Sequence, residues 1–147
     1  MIISIGADHA GFAHKEALKA MLIEEGHDVR DVGTHSLDRV DYPDMGVAAA
    51  RLVSDGTAQF GVVVCGSGIG ISIAANKVRG IRCANCTSVE MATLARQHNN
   101  CNMIAIGERL SSLPLAKDMV HAFLTTEFEG GRHTDRVAKI HSLGDME

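Results

Sequence analysis

Cys65-Gly66-Ser67-Gly68-Ile69-Gly70 is the stretch of this chain best equipped for chemistry. A thiol heads it, a hydroxyl follows, and glycines alternate through it. Glycine lets the main chain approach a ligand closely and adopt conformations closed to other residues. Val62-Val63-Val64 before it reads as a strand covered on both faces, and Ile71 to Lys77 after it as a helix. The first amides of that helix are free to face an anion. Cys65 stands where the strand runs out and the positive helix end begins, a setting that favours a thiolate. A thiolate base and an anion cradle over Gly66, Gly68, Ile69 and Gly70 are the parts of an oxyanion site. The plainer alternative is a tight strand-to-helix turn around an inert Cys, with Ser67 as a helix cap.

Familiar phosphate and nucleophile motifs do not fit. A Walker loop ends in Gly-Lys-Ser/Thr, but Gly70 is followed by Ile71 and Ser72. The dinucleotide fingerprint wants glycine where Ile71 stands. A nucleophile elbow wants glycine two residues before Ser67, where Cys65 stands.

Other residue types complement the thiol. Asp8 and His9 follow the first apolar run, and Asp41-Tyr42-Pro43-Asp44 lies in a polar loop. His98 and Asn99 close a helical pattern, and an imidazole titrates near neutral pH, where proton transfer is needed. Arg132 and Arg136 are four residues apart, so they share one face if the chain is helical there, a pairing suited to phosphate. Cys83-Ala84-Asn85-Cys86 has the spacing of a redox pair or half a zinc site. A second such pair is missing, so no metal site is expected, and a partly buried strand end is the favoured reading. Each of these residues also has a bland reading, as a turn, a cap or a solvated surface group.

The elements that must position these residues alternate. Strands are expected at Ile2 to Gly6, His27 to Val32, Gln59 to Cys65, Gly80 to Ala84 and Asn102 to Ile106. Helices are expected at Phe12 to Glu25, Pro43 to Val53, after the glycine loop, at Val89 to His98, at Leu113 to Phe128, and near Val137 to Leu143. Leu18, Met21 and Leu22 mark the inner face of the first helix, with Lys15 and Lys19 on another face. Such alternation defines an α/β class: a three-layer αβα sandwich around a Rossmann-like, five-stranded, mainly parallel sheet. The 147 residues are expected to form a single domain. Ligands bind beyond the carboxyl ends of such strands, at a switch point, so Asp8-His9 and Cys65-Gly66-Ser67 should meet. His98 and Asn99 precede the last strand and start from its opposite end, which hints at a second subunit.

Composition excludes several function classes. A net charge of −4 implies no broad basic surface for nucleic acid, and scarce aromatics give no base-stacking platform. No apolar run approaches membrane-spanning length, and the start of the sequence lacks a basic leader, so a cytoplasmic protein with reduced cysteines is expected.

Taken together, these stretches resemble a known family. Gly6-Ala7-Asp8-His9-Ala10-Gly11, Asp41-Tyr42-Pro43, Cys65 through Arg82, Arg96-Gln97-His98-Asn99 and Glu129-Gly130-Gly131-Arg132-His133 with Arg136 resemble type B ribose-5-phosphate isomerase. That family also includes the galactose-6-phosphate isomerase subunits. The resemblance implies a cofactor-free aldose–ketose isomerase acting on a sugar phosphate. It also implies a homodimer or dimer of dimers whose active sites are shared between subunits, with His98 and Asn99 coming from the partner chain. Some members use a Glu early in the helix after the loop, but Ile71-Ser72-Ile73-Ala74-Ala75 holds no acid, which points to Cys65 as base. In that chemistry Ser67 passes a proton between sugar oxygens, His98 opens the ring and Asp8 assists. Tyr42 and Asn99 hold hydroxyls. Arg132 and Arg136 hold the phosphate, to which the resemblance adds His9 and, from the partner chain, Arg109. His133 is left undecided; His14, His27, His35, His121 and His141 read as ordinary surface or strand-end residues. The rivals are the same chemistry on a six-carbon sugar phosphate and a binding module without turnover.

Overall fold

The computed structural model describes residues 1–145. Five strands alternate with helices: β1 (Ile2–Ala7), α1 (Phe12–Glu24), β2 (Asp28–Asp31), α2 (Tyr42–Ser54), β3 (Phe60–Cys65) and α3 (Ile69–Asn76). Then come β4 (Cys83–Asn85), α4 (Val89–Asn99), β5 (Met103–Gly107), α5 (Leu113–Thr125) and α6 (Arg132–Ser142), with short 3-10 turns at His9–Gly11 and Leu143–Asp145. The sheet order is β2-β1-β3-β5-β4, and every pairing is parallel.

The strands carry side chains to both faces with period two. Ile3, Ile5, Val62, Val64, Ile104 and Ile106 enter one core, where Leu18, Leu22, Ala92, Met119 and Phe123 of α1, α4 and α5 meet them. Val63, Cys65, Met103 and Ala105 face the other way, onto Ala49, Ala50, Ile71 and Ala75 of α2 and α3. Each fully buried valine or isoleucine contributes about 1.5–3 kcal/mol by removal from water. Both faces are covered, and the three αβα layers follow.

The chain leaves β1 toward β2 on one side and returns to place β3 on the other. The order therefore reverses between β1 and β3, the place where such sheets open a crevice. Asp8 follows β1 there and Cys65 ends β3, with Ala7 beside Val64 in register.

Several boundaries differ from the sequence expectation, each for a local reason. α5 stops at Thr125 because Thr126 is extended and its carbonyl accepts Arg96 Nε. α6 begins at Arg132 rather than near Val137, since Gly130 and Gly131 both take positive φ and turn the chain straight into helix. β4 is shifted to Cys83–Asn85, because Arg82 is held just outside it: its N–H donates to Asn102 Oδ1, and its guanidinium to the Asn100 carbonyl. Lys15 is not on a solvated face. It is fully buried, with Nζ 2.7 Å from Asp31 Oδ2 and 2.8 Å from Glu16 Oε1.

Candidate active site

A cleft of about 580 Å³ opens beyond the carboxyl ends of β1 and β3, lined by Asp8, His9, Tyr42, Cys65, Gly66, Ser67, Ile69, Gly70 and Arg109. Cys65 lies at the end of β3 and is only 4% exposed. The Gly68 N–H donates to its Sγ at 3.2 Å, which sets a positive dipole against the sulfur. Ser67 Oγ accepts the Ile69 N–H at 3.2 Å, a local turn just ahead of α3, whose N-cap is Gly68, and Ser67 also stands on the cleft wall. Those two bonds engage the Gly68 and Ile69 amides within the loop itself.

Gly68, expected in the cradle, does not line the cleft; it is buried and shapes the loop instead. Its φ is +77°, and a Cβ there would collide with Asn85 Oδ1 and the backbone of Ile106. Gly70 has a different reason to lack a side chain: a Cβ would stand 2.5 Å from Cζ of Tyr42. The Tyr42 ring thus rests directly on the glycine loop, carried there by the first turn of α2.

Asp8 is 6% exposed, and its Oδ1 accepts the N–H groups of Ala10 and Gly11 at 3.0 and 3.1 Å. It caps the short turn before α1 while facing the cleft. His9 Nδ1 accepts the Val40 N–H, which puts the ring proton of a neutral imidazole on Nε2. Past His9 the cleft continues into a second lobe of about 510 Å³, walled by Arg39, Asp41, Tyr42 and Asp44.

Arg109, expected from a second chain, lines the cleft of its own chain. The reason is strand pairing. β5 places Gly107 beside Cys65, the Glu108 N–H donates to the Cys65 carbonyl, and the Arg109 N–H donates to the Gly66 carbonyl. The guanidinium then lies over Gly66, with Nη1 2.9 Å from where a Cβ would be.

His98, Asn99, Arg132 and Arg136 do not reach this cleft within one chain. α4 returns from the carboxyl edge of the sheet to its amino edge, so its last residues finish far from Cys65. A second cluster forms there. The His98 and His133 rings stack with centroids 4.4 Å apart, and the Glu129 N–H donates to the Gln97 carbonyl. Arg132 and Arg136 start α6 four residues apart in a true helix. Burial pushes the buried His133 below the usual histidine range, and neighbouring His98 and Arg132 add to it.

His98, Glu129 and His133 hold ligand-type atoms within 4.8 Å of one another. The stacked rings are only 16° from parallel, so their lone pairs do not converge on one ion. Arg132 Nε also lies 3.5 Å from His133 Nε2, which disfavours a dication. A larger cavity of about 660 Å³ lies between the α3–β4 connection and α6, lined by Lys77, Arg79, Arg82 and His141. Among the described residues no thiol or carboxylate lines it, whereas the smaller cleft holds Cys65 and Asp8.

Neither the stacking of His133 on His98 nor the place of Arg39 in the second lobe is legible in the sequence, because both depend on loops whose path it does not specify. Cys83 and Cys86 of the CxxC pair are free, buried thiols, as is Cys101.

A parallel α/β sheet with a thiol, a carboxylate and an arginine gathered at its switch point defines a small-molecule enzyme of the Rossmann-like class. The sequence profile of the Ribose/Galactose Isomerase family matches residues 3–140. Ribose-5-phosphate isomerase B of Escherichia coli is 45% identical over 141 residues, 96% of this chain and 95% of that protein. A galactose-6-phosphate isomerase subunit of Clostridium acetobutylicum is 39% identical, over 95% of this chain and 80% of that one. The solved structure of Clostridium thermocellum ribose-5-phosphate isomerase B superposes with a TM-score of 0.97 at 48% identity, covering 99% of this chain and 98% of that one. The chain belongs to the Ribose/Galactose Isomerase family and is an aldose–ketose isomerase.

Proposed function

We propose that this enzyme interconverts D-ribose 5-phosphate and D-ribulose 5-phosphate through an enediolate, with Cys65 as the base. The observation that carries the reading is Cys65 Sγ at the cleft edge, bonded by the Gly68 N–H and sharing the cleft with Asp8 and Arg109. The Cys65 thiolate takes the proton from C2, and the electron pair flows to the carbonyl oxygen at C1. Ser67 moves the hydroxyl proton from O2 to O1, and the thiol returns its proton to C1. The proton count closes without another reactant. Amides of the glycine loop other than those of Gly68 and Ile69, which are bonded within the loop, stabilise the developing oxyanion.

The cyclic sugar must open first. His98 serves as acid and base for that step, assisted by Asp8; Tyr42 and Asn99 hold hydroxyls, and His9, Arg109, Arg132 and Arg136 hold the phosphate. His98, Asn99, Arg132 and Arg136 come from a second copy of the chain, since one copy keeps its two clusters apart. In this reading the chain is a single domain, acting as a homodimer or dimer of dimers in the cytoplasm, with four reduced cysteines.

A second substrate reading has one observation in its favour. The cleft continues past His9 into the Arg39 lobe, which gives room for a six-carbon sugar phosphate. Steady-state kinetics on ribose 5-phosphate and allose 6-phosphate decide between them. A larger kcat/KM for ribose 5-phosphate supports the proposal; a preference for the longer sugar replaces it.

A further inference from the structure

The segment that carries Arg109 into the cleft is gripped by a histidine outside the cleft. His14 lies in the first turn of α1, with its side chain 13% exposed. Its Nε2 is 2.8 Å from the Ser111 carbonyl oxygen. A carbonyl only accepts, so that nitrogen carries a proton. Nδ1 lies 3.3 Å from Glu108 Oε1. The same carboxylate oxygen accepts the His14 backbone N–H at 2.6 Å, as a cap supplied from a distant part of the chain. The helix end also favours a negative charge in this place.

One residue therefore holds both ends of the segment from Glu108 to Ser111. The two residues between, Arg109 and Leu110, are the ones that line the cleft. On its inner side the segment is tied by the bonds to the Cys65 and Gly66 carbonyls, and by Leu110 and Ser111 N–H groups to the Gly107 carbonyl. Ser111 is 3% exposed, and its hydroxyl oxygen has no hydrogen-bond partner among the described residues. A buried, unmatched hydroxyl is tolerated where the chain path matters more than the group.

We infer that His14 and Glu108 form a staple that positions Arg109 over Gly66 for the anionic end of the substrate. Both are positioning residues; neither lines the cleft. The inference rests on reading the cleft as a sugar-phosphate site with Arg109 as an anion contact.

The test compares Glu108→Ala, Glu108→Gln and His14→Ala with Arg109→Ala, all checked for folding by circular dichroism. Two quantities are read: kcat and KM for ribose 5-phosphate, and the affinity for inorganic phosphate by calorimetry. Glu108→Ala and His14→Ala are expected to raise KM and weaken phosphate binding about ten-fold, with kcat within about two-fold. Glu108→Gln keeps an acceptor for the His14 N–H and should recover most of the loss. Adding Glu108→Ala to Arg109→Ala should cost nothing more, because the staple acts through that arginine. Unchanged KM and phosphate affinity in Glu108→Ala overturns the inference. So does an equal further loss in the double variant, which would mean a general effect on the fold. If His14→Ala does not fold, the two Glu108 variants decide. If wild-type protein does not turn over ribose 5-phosphate, the substrate reading fails, and phosphate affinity still decides the staple.

Discussion

Cys65 is one of four buried thiols, yet it alone shares a cleft with Asp8 and Arg109. Burial pushes the Cys86 thiol up to about 12, with Cys101 adding to it, and pushes Cys101 up to about 11. Cys83 is pushed up too, by burial first and by Cys101 and Cys86 next. A protonated, enclosed thiol is a poor nucleophile. Iodoacetamide at pH 8 is therefore predicted to alkylate Cys65 at least about ten-fold faster than the other three, with sugar phosphate slowing the reaction. Peptide mass spectrometry reads this, and equal labelling of Cys65 and Cys101 would count against it. The position of Cys65 at the end of a buried strand, heading a glycine loop, is legible in the sequence, because alternate glycines after an apolar strand leave few other arrangements. The engagement of the Gly68 amide with Sγ is not, since that depends on the exact path of the loop.

Between the elements, one ion cluster ties the rim of the cleft to the sheet. Asp31, at the end of β2, accepts from Lys15, Lys19 and the Gly33 N–H. Gly33 and Thr34 in turn exchange backbone bonds with Ala7, the residue before Asp8. Burial on its own would raise the Asp31 carboxyl, but the bonds from the two lysines and from Gly33 outweigh it and hold the group below its ordinary value. A carboxyl lowered in the folded chain contributes stability that is complete above its unfolded value, near 4, and is lost as pH falls through the folded one. Asp31→Asn leaves the fully buried Lys15 ammonium with only half-exposed Glu16, and should cost about 3–5 kcal/mol in urea unfolding at pH 7. Its penalty against wild type should shrink below about pH 4. Asp28→Asn, on a solvent-screened pair with Arg30, should cost far less than Asp31→Asn. Equal losses in the two variants would remove the cluster from the account. Lys15 shows why such a feature escapes a sequence reading. A lysine at helical spacing on a polar stripe looks solvated, and only the pairing of β1 with β2 puts Asp31 above it. The start of α6 was missed for a similar reason, since two glycines in a polar stretch read as loop until their φ values are known.

At the scale of the whole molecule, the order of the sheet explains why one chain carries its cleft and its His98–His133 cluster apart. Strand and helix alternation was enough to place Asp8 and Cys65 together and to set His98 apart, because it fixes which end of a strand each residue follows. That Arg109 lines the cleft of its own chain is not legible in the sequence, because it depends on β5 lying next to β3. If each site is completed by a second copy, two inactive variants should restore one another. Cys65→Ala mixed equally with His98→Asn, unfolded together and refolded, should recover roughly a quarter of wild-type activity, since half the dimers are mixed and each carries one intact site. No recovery in a refolded mixture would show that the site lies within one chain. The central claim, proton transfer through Cys65, is met most directly by proton NMR of ribose 5-phosphate in heavy water with wild-type protein and with Cys65→Ala. The account predicts ketose formation with deuterium entering the sugar at carbon, and loss of both in a variant that keeps its fold. Deuterium exchange at the wild-type rate in folded Cys65→Ala would contradict it.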